Sequence, residues 1–101
     1  MNDHDVTAVY KYIDENMELY LGWLMEAVRQ PSVSMYNAGM GEMASICARF
    51  LEDKLGLKAE MIETGGSPYI YAHLDEGAKD TLAFYNHYDV MPAEPLEEWE
   101  S

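Results

Sequence analysis

Apolar residues recur at steps of three and four along the first third of the chain, between Asp5 and Gln30. Residues at these steps share one face of an α-helix, so the pattern predicts a long amphipathic helix packed on another element. Pro31 ends this predicted helix, because a proline disfavours helical backbone in the residue before it. The apolar positions are Val6, Val9, Tyr10, Ile13, Met17, Tyr20, Leu21, Leu24 and Val28.

A second helix is predicted from about Asn37 to Leu55, after a loop that begins at Pro31. Gly56 follows directly, and glycine commonly ends helices because it adopts left-handed backbone without strain. Cys47 lies on the apolar face, which predicts a small buried residue rather than a nucleophile. That face comprises Met40, Met43, Ala44, Cys47, Phe50, Leu51 and Leu55.

Three short strands are predicted after the helices, over residues 58–63, 69–74 and 81–86. The first two are joined by a short link rich in glycine, which predicts a β-hairpin. His73, in the second strand, is expected to lie on a strand face rather than to bind metal. The third strand has the unbroken apolar run 82–85, which predicts burial on both faces of an α/β sheet. The predicted fold is therefore α/β: two helices, a hairpin and a buried strand.

Composition narrows the possible roles of the chain. Its 101 residues allow one small domain, and its formal charge of −13 disfavours binding to nucleic acid. The acidic excess keeps the protein soluble or, alternatively, favours metal cations near a site. No apolar run is long enough to span a membrane, and the chain start lacks the pattern of a signal peptide. The single cysteine, Cys47, suits a reducing compartment, so a cytoplasmic location is expected.

The candidate chemistry lies directly after the predicted third strand, at His87 and Asp89. Active sites of open α/β sheets form beyond the carboxyl ends of their strands. Side chains two residues apart in extended backbone point to the same side. Neutral imidazole is a good zinc ligand, and a nearby carboxylate can orient it. The alternative is a histidine that only makes a hydrogen bond at the strand end, with Asp89 starting a turn.

The longer segment 81–101 resembles the first metal motif of the M20 metallopeptidases. In that family an apolar strand leads into Gly-His-x-Asp-Val-x-Pro, and dipeptidase-like members continue with Pro-Leu-x-x-Trp. The resemblance implies that His87 is a ligand of one of two zinc ions. It also implies that Asp89 orients His87 and supports catalysis, and that Trp99 is structural. Asn86 departs from the pattern, because the family usually has glycine there.

The resemblance also implies an N-terminal, partial catalytic domain over residues 1–101. The other metal ligands, a glutamate base and an inserted domain that forms the lid and the dimer contact are expected beyond Ser101. The intact enzyme is then a homodimeric zinc peptidase acting on dipeptides or small peptides. This chain alone is expected to be inactive and, with an open sheet edge, to self-associate. The alternatives are an N-acyl amino acid deacylase of the same family and a non-catalytic acidic interaction domain derived from it.

Overall fold

The computed structural model describes residues 6–100, which begin with two helices, α1 (Thr7–Glu15) and α2 (Met17–Arg29). Asn16 separates them. Its side-chain Nδ2 donates a hydrogen bond to the Tyr12 carbonyl at 2.8 Å, and its backbone N–H donates to the same carbonyl at 3.2 Å. Asparagine side chains compete with the backbone in this way and interrupt helices. The single long helix predicted for this region is therefore two shorter ones.

Helix α3 (Met40–Arg49) continues into a π-helical turn over Phe50–Lys54. Gly56 ends it with a φ of 70°, and its N–H donates to the Glu52 carbonyl at 3.1 Å. The glycine stop was therefore predicted correctly. The start is three residues later than predicted, because Asn37 and Gly39 both have left-handed backbone, which cannot continue a helix. A 3₁₀ turn over Ser34–Tyr36 fills the preceding loop.

A β-hairpin follows, formed by β1 (Lys58–Ile62) and β2 (Tyr69–His73). The strands are antiparallel, with Lys58 opposite His73 and Ile62 opposite Tyr69. Thr64 closes the turn: its hydroxyl donates to the Ser67 carbonyl at 2.8 Å and accepts from a backbone N–H. The structure thus confirms the predicted hairpin and the α/β class of the fold.

The predicted third strand is wrong for this chain. Within residues 6–100 the sheet has two strands, and residues 81–86 do not pair with either. The adjacent residues Phe84 and Tyr85, which point to opposite sides of extended backbone, are 82% and 90% exposed, so the segment is not buried on either face. An apolar run indicates that a segment favours burial. A strand also needs a neighbouring strand that pairs with its backbone N–H and C=O groups, and residues 6–100 provide none here.

The core is small and centres on α3. Met40, Met43 and Ala44 are its buried apolar residues in the described chain. Cys47 on the same helix is half-buried, and burial raises the pKa of its thiol, as expected for an inert cysteine. Helix α3 contacts both strands of the hairpin, so its apolar face joins the sheet to the loop before it. This loop carries part of the candidate site.

Helix α2 packs on α3 through a face that shares only Tyr20 with the one predicted. Tyr20 and Trp23 are half-buried, and their ring centres lie 5.4 Å apart. The Lys54 ammonium lies 5.2 Å from the Trp23 ring centre. Glu26 accepts a hydrogen bond from Arg49 at 2.9 Å. Most of the predicted apolar face is exposed, including Leu24 at 58%. None of the helices in residues 6–100 is long and apolar enough to cross a membrane.

Gly39 should be essential for the fold. Its φ is 74°, and a Cβ built there would lie 2.0 Å from the Pro31 carbonyl oxygen. We expect Gly39→Ala to lower the free energy of unfolding by about 1–3 kcal/mol, because both the backbone strain and the steric overlap oppose it. Urea denaturation followed by circular dichroism measures the change.

Gly41→Ala is the matched control, because it adds the same methyl group two residues later, where nothing lies within 4 Å. It should raise the free energy of unfolding by up to about 1 kcal/mol. Equal effects of the two substitutions would contradict the steric argument.

Candidate metal centre

The segment carrying His87 and Asp89 is held against the loop before α3 by backbone hydrogen bonds. The Val90 N–H donates to the Ser32 carbonyl at 2.9 Å, and Val33 forms a parallel bridge with Val90. Ser32 is 3% exposed, so this contact is shielded from water. The loop thus pairs through its backbone with the segment after His87, although its residues lie more than fifty positions earlier in the chain.

Two side chains of the loop bind carboxylates of the motif segment. The Ser34 hydroxyl donates to Asp89 Oδ2 at 2.6 Å, and the Tyr36 hydroxyl lies 3.2 Å from both oxygens of Glu94. The Ser34 hydrogen bond holds the pKa of Asp89 below its ordinary value. The Tyr36 pKa is raised, because the hydrogen bond to Glu94 favours the protonated phenol. Asp89 is therefore a carboxylate around neutral pH.

The imidazole of His87 is oriented by Asp89. Its Nδ1 lies 3.1 Å from Asp89 Oδ1 and 3.0 Å from the Asp89 carbonyl oxygen. Both partners are acceptors, so in the neutral ring Nδ1 carries the proton and Nε2 keeps its lone pair. The His87 side chain is 75% exposed. This geometry suits the orienting role predicted for Asp89; the ligand role of His87 and the catalytic role of Asp89 stay predictions.

His87 and Asp89 line an open cleft of about 200 Å³ between α3 and the hairpin turn. A larger depression of about 510 Å³ lies on the outer face of the hairpin and includes His73. That histidine stacks on Tyr71 with ring centres 5.9 Å apart, in the strand-face position predicted for it. We assign the site to the smaller cleft, because in it a carboxylate orients an imidazole.

The donor set in this cleft fits part of a zinc site. Among residues 6–100, no group of three or more histidine, cysteine, aspartate or glutamate side chains is placed to share a metal ion. A catalytic zinc normally has three protein ligands and a water molecule. The described residues can therefore contribute His87 Nε2 as one ligand, supported by Asp89, and do not form a complete site.

Sequence reasoning missed the residues that position this site. Nothing in the sequence pattern links Ser34 to Asp89, 55 residues away. Tyr88 stands at the unspecified position of the His-x-Asp pattern, yet its hydroxyl donates to the Pro68 carbonyl at 2.7 Å and fastens the motif to the hairpin turn. Burial raises the pKa of Tyr88, so its phenol stays a donor. A large aromatic residue between the two site residues was the one available signal.

Comparison with known proteins supports one family. No protein-family model matches the chain. Among solved structures, it is similar to Sso-CP2, an M20 family metallo-carboxypeptidase from Sulfolobus solfataricus, with 42% sequence identity and a TM-score of 0.76. The comparison supports the M20 family. The match covers 83% of this chain but 19% of the carboxypeptidase, so the chain spans about a fifth of the protein it matches.

The M20 match agrees with the family resemblance of the motif and with the predicted α/β fold. It does not extend to the dipeptidase-like branch, because the matched protein is described as a carboxypeptidase. The resemblance of the motif and the matched structure both concern metallopeptidases.

Tyr88 should stabilise the docked motif through its hydroxyl. We expect Tyr88→Phe to lower the free energy of unfolding by about 0.5–1.5 kcal/mol, because the Pro68 carbonyl loses its donor. Thermal or urea denaturation measures the loss. Tyr85→Phe is the control, because Tyr85 lies in the same segment and is 90% exposed. An equal loss in both variants would show that the Pro68 hydrogen bond is not the cause.

Proposed function

We propose that this chain is part of a zinc-dependent M20 peptidase that hydrolyses amide bonds of dipeptides or small peptides. The observation that carries the proposal is the orientation of His87 by Asp89, with Nδ1 turned to the carboxylate and Nε2 left as a ligand atom. The similarity to a metallo-carboxypeptidase supports the same class of reaction.

His87 and Asp89 have different roles in holding the metal. His87 provides Nε2, and Asp89 raises the basicity of that nitrogen by accepting from Nδ1. Zinc, when bound, polarises the scissile carbonyl and lowers the pKa of its water. We propose two zinc ions in the intact enzyme, with the remaining ligands and the general base supplied by residues outside this chain. Asp89 supports catalysis by keeping His87 in one orientation.

The candidate substrates of this chain's enzyme share one chemical group. A dipeptide and a carboxypeptidase substrate both have a free carboxylate beside the scissile amide. We propose that the intact enzyme is a dipeptidase, because the segment 95–99, Pro-Leu-Glu-Glu-Trp, has the spacing of the dipeptidase-like branch. A panel of a dipeptide, its N-acetyl derivative and its C-terminal amide tests this. Release of acetate from the N-acetylated compound, with its peptide bond left intact, would favour the deacylase alternative instead.

His87→Ala tests the metal role in the intact protein encoded by the reading frame that contains this chain. We expect loss of bound zinc and a fall in kcat/KM of at least about 100-fold, because removing even an outer partner of a ligand lowers activity 10- to 100-fold. Metal analysis and dipeptide turnover measure the two effects. His73→Ala is the control and should keep both, because His73 lies on the hairpin face away from the cleft. Full zinc content in His87→Ala would reject the proposal.

The 101-residue chain alone should not hydrolyse a dipeptide, with or without added zinc. Its described residues offer no complete set of metal ligands. Turnover assays of the purified chain beside the intact protein check this expectation. Zinc-dependent turnover by the chain that disappears in His87→Ala would contradict it.

We further propose a cytoplasmic location and a homodimeric intact enzyme. For the isolated chain we propose self-association through the exposed apolar segment 81–86. Leu82, Phe84 and Tyr85 in this segment are each more than three-quarters exposed, and exposed apolar patches of this kind favour association.

A further inference from the structure

The two oxygens of the Asp89 carboxylate have different partners. Oδ1 lies 3.1 Å from His87 Nδ1, whereas Oδ2 accepts the Ser34 hydroxyl at 2.6 Å. A carboxylate can rotate about its terminal bond, so a partner on one oxygen fixes the direction of the other. The Ser34 bond is short and charge-assisted, which makes it the stronger of the two restraints.

Ser34 is itself fixed by its own backbone. It begins the 3₁₀ turn, and its carbonyl accepts from the Asn37 N–H at 3.1 Å. Val33 beside it exchanges two backbone hydrogen bonds with Ala38, at 2.9 and 3.0 Å, and forms a bridge with Val90. The hydroxyl is therefore presented to Asp89 by a loop with several independent restraints, rather than by a freely moving side chain.

We propose that Ser34 is a positioning residue for His87, acting through Asp89. By holding Oδ2, it directs Oδ1 at Nδ1 and so stabilises the tautomer in which Nε2 has the lone pair. The inference rests on the proposed function for its purpose, since that tautomer is the one a metal requires at Nε2. Its physical content concerns a proton on the imidazole and can be tested without metal.

The competing explanation is that the backbone suffices. The Asp89 carbonyl oxygen also lies 3.0 Å from Nδ1 and could hold the tautomer without the carboxylate. Removing the Ser34 hydroxyl separates the two explanations, because it frees the carboxylate and leaves the carbonyl in place.

The test is the tautomer ratio of His87 in the 101-residue chain, read from ¹⁵N chemical shifts of the ring at a pH where the ring is neutral. The wild type should show mainly the Nδ1–H form. In Ser34→Ala the ratio of Nδ1–H to Nε2–H should fall about five-fold, the effect expected when about one net hydrogen bond is lost. Ser34→Thr keeps the hydroxyl and should restore the ratio.

Tyr36→Phe is the matched control, because it removes a hydroxyl from the same loop that binds Glu94 instead of Asp89. It should leave the ratio unchanged. If Ser34→Ala loses the native spectrum, Ser34→Cys carries the test: its thiol is a weaker donor of similar shape, and the ratio should be intermediate. An Nε2–H wild type, or a ratio unchanged in both Ser34→Ala and Ser34→Cys, overturns the proposal.

The outcome is separable from that of the proposed function. A Ser34-dependent tautomer in an intact protein that binds no zinc would keep this inference and reject the metal role. If the intact protein is a zinc peptidase but removing the Ser34 hydroxyl leaves the His87 tautomer ratio unchanged, the metal role is kept and this inference is rejected.

Discussion

The hydrogen bond from Val90 to the Ser32 carbonyl brings together two parts of the chain that are distant in sequence. The link between the loop before α3 and the candidate site depends on that contact. It brings Ser34 within reach of Asp89, and Asp89 in turn orients His87. Because the bond involves backbone atoms, it fixes the register of the two segments independently of side-chain identity.

The loop can make this contact because of what surrounds it. Gly39 lies so close to the Pro31 carbonyl oxygen that a Cβ would not fit between them. Met40 then begins α3 with its side chain in the core. Tyr88 fastens the other partner to the hairpin turn through Pro68. The site is thus supported by elements on both sides, although the buried core is small. Its precision comes from hydrogen bonds more than from packing.

Local signals were sufficient for the hairpin and for one helix end, and they gave a hypothesis for the site. The glycine-rich link predicted the hairpin, Gly56 marked the end of a helix, and the spacing of His87 and Asp89 indicated a ligand with an orienting partner. The Ser34 contact could not be predicted, because it depends on how two loops meet after folding. The strand over residues 81–86 was predicted wrongly, because an apolar run reports a tendency to be buried and not the presence of a pairing strand.

The exposed run around Phe84 lies in a chain of strong negative charge. Apolar contact between two copies would bury this segment, whereas the formal charge of −13 on each copy opposes that contact. The repulsion is screened over a Debye length of about 8 Å at physiological ionic strength, but the apolar attraction is not. If copies associate through this segment, as proposed, their association should therefore strengthen as ionic strength rises.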